Sequence, residues 1–243
     1  MYVFDPKNRF FFGRRRMRAF RGGQREAFDA VMAVRGITPD IVTQSGAVEP
    51  HTLFTQKPDS VWFEIGFGDG TFVSEMLPRH PNRAYIVAEP FENGVANLCK
   101  KIVDYIDPAI RIWMEDGIPL LRTLADFSLD GIYVLNPDPW PKVRHHKRRL
   151  INTETLDLFA QKLKPGGLLT MTSDVVDLAD WMRDHALDHP DFTWVEASRT
   201  APHKPPADWV TTKYERKGLE AERPMAYLVF QRNKTLAKAS ASA

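Results

Sequence analysis

The chain contains very little cysteine and no long apolar segment. Its 243 residues include a single cysteine, Cys99, so no disulfide bond can form within the chain. That composition is typical of a reducing compartment. No apolar stretch approaches the roughly 20 residues that a membrane-spanning helix needs, and the N-terminus lacks the apolar core of a secretory signal. We therefore expect a cytoplasmic protein that does not bind a membrane.

The net charge of +2 is distributed unevenly along the chain. Residues 1–35 contain nine Lys or Arg and three Asp or Glu, so this segment carries +6 and the remainder −4. A basic arm on a mildly acidic body predicts a polyanionic partner; a solvated tail that keeps the protein soluble is the alternative. We expect a basic N-terminal arm over 1–57, one domain over 58–233 and a disordered tail over 234–243.

Strand-like and helix-like segments alternate through the body of the chain. Apolar runs predict strands at 61–65, 84–88, 110–114, 131–135 and 168–172. Helical spacing predicts helices at 24–35, 71–79, 93–105, 118–125, 153–163 and 175–185, the fifth ended by Gly166 and Gly167. This order predicts an α/β fold with a parallel, doubly wound sheet and helices on both faces. Two late strands, at 192–197 and 226–230, would form a hairpin and add an antiparallel strand.

Three alternating glycines follow the first predicted strand, in Glu64-Ile65-Gly66-Phe67-Gly68-Asp69-Gly70. Glycines in this pattern permit a sharp turn and a close approach of the backbone to a ligand, although the motif alone is weakly specific. In a doubly wound sheet, ligands bind beyond the carboxyl ends of the strands. A carboxylate at Glu64 would oppose a pyrophosphate, which favours S-adenosylmethionine, with its cationic groups, over a dinucleotide.

Two further acids follow the second and third predicted strands. Glu89 is placed to accept both hydroxyl hydrogens of a ribose, and Asp116 to accept from the amino group of an adenine. Each taken singly is equally compatible with the capping of a helix. The ordered set of Glu64, the glycines, Glu89 and Asp116 favours a cofactor site.

The segment Asn136-Pro137-Asp138-Pro139-Trp140 follows the fourth predicted strand. Two prolines hold Asp138 in an extended turn. Because the fourth strand would lie beside the first, Asp138 should face the reactive group of the cofactor. Trp140 is suited to stack on a base, an interaction worth roughly 1–3 kcal/mol in single-strand binders. The alternatives are an ordinary turn residue for Asp138 and a packing aromatic for Trp140.

Lys142-Val143-Arg144-His145-His146-Lys147-Arg148-Arg149 follows immediately and contains no acid. Charge runs are usually solvated surface, but this one adjoins the proposed site, so binding to phosphates is predicted. His145 and His146 have no suitably spaced partner, so we predict no metal site. Asp174 ends the fifth strand, and residues 211–216 are expected to form a polar loop beside a bound base.

Together these residues resemble the bacterial tRNA (guanine-N7-)-methyltransferase family. The resemblance rests on the glycine motif, on Pro137-Asp-Pro-Trp-Pro-Lys with Arg144-His-His-Lys-Arg-Arg, and on Thr212-Lys-Tyr-Glu215, and it covers about residues 57–232. It implies a Rossmann-like class I S-adenosylmethionine-dependent methyltransferase fold, with a mostly parallel seven-stranded sheet and an antiparallel last strand. It also implies methyl transfer to N7 of guanine 46 in the variable loop of tRNA.

The same resemblance, with the glycine motif, assigns the site residues. The cofactor S-adenosyl-L-methionine is expected to bind at Glu64, Gly66, Gly68, Glu89, Asp116 and Asp138, with Asp138 also catalytic. The tRNA is expected to bind at Lys142, Arg144, His145, His146, Lys147, Arg148, Arg149, Asp174, Thr212, Lys213, Tyr214 and Glu215. The protein is expected to be a monomer or a homodimer.

Three alternatives remain open from the sequence. The first is a methyltransferase for another RNA base or acceptor, since Asn136-Pro137 resembles part of the Asn-Pro-Pro-aromatic motif of amino-group methylators. The second is an NAD-dependent oxidoreductase on the same fold, against which Glu64 counts. The third is a non-catalytic RNA chaperone that uses the basic segments alone.

Overall fold

A computed structural model describes residues 19–43, 46–105 and 109–234 of the chain. The first described helix is α1 (Gln24–Arg35). Strands and helices then alternate along the chain: β1 (Ser60–Ile65), α2 (Thr71–Arg79), β2 (Arg83–Ala88), α3 (Glu92–Ile102), β3 (Ile110–Trp113), α4 (Gly117–Thr123), β4 (Leu129–Leu135), α5 (Thr153–Lys162) and β5 (Leu163–Ser173). The chain then continues through α6 (Val176–Asp188), β6 (Phe192–Trp194), α7 (Glu196–Thr200), α8 (Lys213–Glu220) and β7 (Ala226–Arg232). Short 3-10 helices cover Pro39–Val42, Pro50–Leu53 and Val143–Arg148.

The seven strands form one sheet in the order β3-β2-β1-β4-β5-β7-β6. The first five are parallel to one another, and β7 is antiparallel to both β5 and β6. The predicted fold class is therefore confirmed, including the antiparallel last strand. The order reverses between β1 and β4, which pair directly, so the ends of these two strands frame the point where such folds bind ligands.

The sheet is buried on both faces by apolar helix faces. One layer includes Phe72 of α2 and Leu98 of α3, and the other includes Ile118 of α4 and Phe159 of α5, all at most 2% exposed. Near-continuous apolar runs are characteristic of parallel strands buried in this way. This explains why apolar patterning located the central strands correctly.

Helix α1 and the residues that follow it pack at the β3 edge of the sheet, where Gly36 bridges to Ile112. The predicted helix at 24–35 is confirmed as α1, which contacts α3 through a hydrogen bond of 2.8 Å between Gln24 and Asn97. The Ile37 N–H donates to the Ile112 carbonyl at 2.8 Å. Residues 1–18 of the predicted basic arm, and 235–243 of the predicted tail, lie outside the described residues, so those boundaries stay predictions.

Four local predictions are wrong. Gly166 and Gly167 do not end α5; they lie within β5, where the β4–β5 register shifts between Leu129 and Gly131 and Gly166 takes a φ of 86°. Glycine suits such an irregularity because a positive φ carries no Cβ penalty there. The strand predicted at 192–197 ends at Trp194. Helices α7 and α8 separate β6 from β7, and α8 replaces the loop predicted at 211–216.

Candidate active site

A cleft of about 840 Å³ opens where β1, β2, β4 and β5 end. The first and fourth strands converge there as predicted, so the glycine turn and Asp138 line the same space. The structure brings the following predicted site residues to its lining: Glu64, Gly66, Gly68, Glu89, Asp116, Asp138, Arg148, Asp174 and Thr212.

The turn after β1 has a conformation that requires glycine. Gly66, Gly68 and Gly70 have φ angles of 74°, 60° and 71°, a region that other residues rarely adopt. The start of α3 packs tightly behind this turn, because a Cβ added to Gly94 would lie 2.2 Å from the Gly68 carbonyl oxygen. The backbone of the turn is therefore held in place before any ligand arrives.

Glu89, which follows β2, accepts a hydrogen bond from the same turn. Its carboxylate accepts hydrogen bonds of 2.9 Å from the backbone N–H groups of Gly68 and Phe91. Burial raises the pKa of Glu89 to about 7; these two hydrogen bonds oppose the rise, and the charge of Asp138 adds to it. Glu89 and Asp138 thus influence each other across the cleft. The ribose contact assigned to Glu89 stays a prediction.

Glu64 is a buried acid at the wall of the cleft. Its side chain is 1% exposed, and its Oε2 atom has no hydrogen-bond partner among the described residues. Burial, followed by the charges of Glu89 and Asp69, raises the pKa of Glu64 to about 8. A buried carboxyl group that lines a cleft and lacks a partner is suited to a ligand that brings a cationic donor.

Asp116 caps a helix and also lines the cleft. It caps α4, where its carboxylate accepts from the Ile118 N–H at 3.0 Å, and its carbonyl accepts from the Trp113 indole at 2.7 Å. It also lines the cleft. The capping alternative is therefore correct, and the cofactor contact remains a prediction.

The proline-rich segment after β4 has a strained backbone. Asn136 and Trp140, on either side of Pro137-Asp138-Pro139, take φ angles of 49° and 43°, which are uncommon outside glycine. The Asn136 amide donates to the Thr212 hydroxyl at 3.3 Å, linking the end of β4 to the start of α8. Asp138 is exposed as a whole residue, and partial desolvation of its carboxylate raises its pKa.

Helix α8 borders the cleft beside Asp174. Arg223 donates two hydrogen bonds to the Asp174 carboxylate, at 2.8 and 2.6 Å, and a Cβ on Gly218 would lie 2.8 Å from the same oxygen. Thr212 and Glu215 form a capping box at the start of the helix. The packing of α8 therefore places Asp174 at the wall of the cleft.

Glu215 does not occupy the position predicted for it. The prediction placed it in a loop that faces the substrate, but it is 1% exposed and its carboxylate accepts from the Trp209 indole at 2.9 Å and from the Tyr227 hydroxyl. Through these contacts Glu215 holds α8 against Trp209 and β7. Glu215 is absent from the residues that line the cleft. Lys213 and Tyr214 also fall on α8, and their side chains lie outside what the structure describes.

The basic segment divides into outward and inward residues. Lys142, Arg144 and Lys147 are exposed on the 3-10 helix Val143–Arg148 and its approach. His145 and Arg148 pack against Trp140, at 5.9 Å between ring centres and 5.0 Å from the guanidinium to the ring. Desolvation, followed by the charges of Arg148 and Arg144, lowers the pKa of His145, so the positive charge of the segment comes from its Lys and Arg residues.

Two members of the predicted RNA-binding set face inward instead. His146 packs edge-on against Trp181, with ring centres 5.5 Å apart. The Arg149 side chain is fully buried, so a direct contact with RNA is not what this position provides. A uniform run of basic residues in the sequence contains no pattern that separates these inward positions from the exposed ones.

Several cleft residues were not found from the sequence. Asn136 lines the cleft, and its Oδ1 is buried with no partner among the described residues. Lys217 and Arg223 add basic groups from α8 and the turn after it. Asn136 could have been found from its place beside Asp138, whereas the other two reach the cleft through the tertiary position of α8.

Comparisons with known proteins identify the family of this chain. Residues 58–228 match a family model described as "Putative methyltransferase". The tRNA (guanine-N(7)-)-methyltransferase of Rhodospirillum rubrum is 36% identical over 222 residues, which cover 91% of this chain and 87% of the relative. The chain belongs to the tRNA (guanine-N(7)-)-methyltransferase family. The enzyme of that name from Azorhizobium caulinodans is also 36% identical, over 91% of this chain and 94% of the relative.

Membership of the tRNA (guanine-N(7)-)-methyltransferase family confirms the resemblance drawn from the glycine, proline and basic motifs. A solved structure titled "Crystal Structure of PH0851" aligns with a TM-score of 0.51 at 12% identity, covering 75% of this chain and 45% of that one, and supports the fold alone. In the described part of the chain, no helix is long and apolar enough to cross a membrane. The same residues contain no group of three or more His, Cys, Asp or Glu arranged around a metal.

Proposed function

We propose that this chain transfers a methyl group from S-adenosyl-L-methionine to N7 of guanine 46 in the variable loop of tRNA, as a cytoplasmic monomer or homodimer. One observation carries the proposal: the glycine turn with its unpartnered Glu64 and the proline-flanked Asp138 line a single cleft, beside exposed basic residues. Membership of the tRNA (guanine-N(7)-)-methyltransferase family supports it.

The residues present fit the cofactor. The orphaned carboxyl oxygen of Glu64 would accept from the cationic amino group of the methionine part. The glycine turn allows close approach of the backbone, and Glu89 and Asp116 remain the candidates for the ribose and adenine. When bound, the cofactor supplies a methyl group on a positively charged sulfur.

The acids of the cleft are suited to position a guanine. N7 of guanine carries a lone pair and no proton, so methylation at N7 needs no general base. Most of the acceleration should come from the alignment of the reactants and from carboxylates held near developing positive charge. Asp138 and Asp174 are the candidates, because either can accept from guanine N1–H or N2–H and thereby orient the base.

The basic segment supplies binding to the RNA backbone. Lys142, Arg144 and Lys147 are exposed in the segment between Trp140 and Leu150, two residues that line the cleft. Contacts from these cations to phosphates would make the affinity strongly dependent on salt. Arg148 and His145 pack against the ring of Trp140. We expect this ring to stack on a base that is drawn out of the folded tRNA.

The test is incubation with bulk tRNA and labelled cofactor, followed by identification of the modified nucleoside by mass. N7-methylguanosine is expected; a different nucleoside would indicate another acceptor, and no binding of cofactor would reject a methyltransferase. Asp138→Ala should lose turnover and keep tRNA affinity, while Asp188→Ala, an exposed acid outside the cleft, serves as the matched control. Methylation by Asp138→Ala at the parent rate would remove Asp138 from the mechanism.

A second test concerns the N-terminal arm. Removal of residues 1–25 should weaken tRNA binding and flatten its dependence on salt, because the segment carries much of the positive charge of the chain. Binding measured by filter retention at several salt concentrations gives the slope. A slope equal to that of the full chain would reject a binding role for the arm.

A further inference from the structure

Arg149 differs from the basic residues that precede it. Lys142, Arg144 and Lys147 are exposed, whereas the Arg149 side chain has no exposed surface. A guanidinium is rarely buried without specific partners, because its charge must be compensated inside the protein. The partners of this side chain therefore indicate what the position does.

The buried guanidinium connects the cleft segment to α6. Its Nε donates to the Pro139 carbonyl at 3.1 Å, and its Nη2 pairs with the Asp177 carboxylate on α6. Its Cζ lies 4.9 Å from the centre of the Trp181 ring, whose indole N–H donates to the Ile151 carbonyl at 2.7 Å. Arg149 thus joins the residue immediately after Asp138 to a helix packed on the sheet.

Three prolines limit the backbone hydrogen bonds that the segment carrying Asp138 can form. Pro137, Pro139 and Pro141 have no N–H group to donate. Among the backbone–backbone hydrogen bonds of the described residues, none involves Pro137, Asp138, Pro139 or Pro141. The hydrogen bond from Arg149 to the Pro139 carbonyl therefore fixes a stretch of chain that cannot be fixed by a regular backbone pattern.

We propose that Arg149 is a positioning residue for the methyl transfer, which holds the Pro139 carbonyl so that Asp138 and Trp140 face the base at the cleft. This inference rests on the proposed function. It separates Arg149 from the exposed basic residues: those determine the affinity for tRNA, and Arg149 determines the rate of the transfer step. A displacement of about 1 Å at a reacting centre can lower a rate by about 100-fold.

The test uses Arg149→Lys in the full chain. Lysine keeps the charge but lacks the planar fork that makes two directed contacts at once. We expect the single-turnover rate at saturating tRNA and cofactor to fall at least about tenfold, with the tRNA dissociation constant and its salt slope close to those of the parent. Arg122→Lys is the matched control, because Arg122 pairs with Glu154 at 2.6 Å outside the cleft, and its rate should equal that of the parent.

Arg144→Ala supplies the contrasting result. Loss of an exposed phosphate contact should weaken tRNA binding and reduce the salt slope by about one. The same flattening in Arg149→Lys, with an unchanged rate, would overturn the inference in favour of a direct RNA contact. An unchanged rate with a lower melting temperature would also overturn it, leaving a purely structural role.

Asp177→Asn keeps the inference testable if Arg149→Lys fails to fold. The Asp177 side chain is 67% exposed and outside the cleft, so this replacement keeps a hydrogen-bond acceptor for the guanidinium and removes only the negative charge. A smaller fall in rate in the same direction supports the inference, and a parental rate overturns it. N7-methylguanosine formation by the parent protein tests the proposed function separately, so the two failures are distinguishable.

Discussion

Replacement of Glu64 by glutamine should change how the stability of the ligand-free protein depends on pH. Glu64 has a pKa raised from 4.5 to about 8 in the folded protein, mainly by burial. Between these two values the folded state binds a proton that the unfolded state has released. Stability contributed by this group is therefore complete at low pH and is lost as pH rises through the window.

The expected magnitude follows from the size of the shift. Each pH unit within the window removes about 1.4 kcal/mol of unfolding free energy, so the parent should lose roughly 3 kcal/mol through Glu64 between about pH 5 and about pH 7.5. Glu64→Gln has no proton to lose at this position. Glu89 and Asp138 titrate in both proteins, so the difference between the two curves reports Glu64 together with its coupling to Glu89.

Urea unfolding of both proteins across this pH range measures the difference directly. A calorimetric titration with S-adenosylhomocysteine adds an independent measurement, because a cationic amino group should ionise Glu64 and release a proton from the parent but not from the variant. Parallel stability curves for the two proteins, together with equal proton release, would refute the conclusion that Glu64 is protonated in the empty cleft.

Three further predictions follow from the packing around the cleft. Gly94→Ala places a methyl group against the Gly68 carbonyl, 2.2 Å away without adjustment, so binding of S-adenosylhomocysteine should weaken at least about tenfold by calorimetry; equal affinity would show that α3 can shift freely. Thr212→Ala removes a helix cap and should lower the unfolding free energy by about 1 kcal/mol in urea, and no change would mean that α8 is held by other contacts alone. Arg223→Met frees the Asp174 carboxylate and should reduce kcat/KM for tRNA, whereas a parental value would exclude Asp174 from substrate binding.

The sequence was sufficient for the elements whose stability is local or uniformly apolar. The helix at Thr71–Arg79 was predicted with the observed boundaries, because Gly70 and Pro81 mark its limits and its apolar residues follow helical spacing. The strands that end at the cleft were located by their apolar runs, which are long enough to be buried on both faces. Because those ends meet in any doubly wound sheet, the glycine turn and Asp138 could be placed together.

The wrong predictions concern residues whose roles depend on distant partners. Helix α8 is polar and contains Gly218, so its composition gives little indication of a helix; Glu215 stabilises it through Trp209 and Tyr227. Arg149 appeared equivalent to its basic neighbours because the contact with Asp177 comes from a helix 28 residues further along the chain. No local pattern encodes such contacts.

The short 3-10 helix Val143–Arg148 exposes Arg144 and Lys147 to solvent. The next residue, Arg149, is buried and pairs with Asp177 of α6. Under the proposed function, exchanging an outward cation such as Lys147 leaves Asp138 in place. Preference among different tRNAs would then be open to change on this surface, across evolution or in an engineered variant, with the chemistry of the cleft kept.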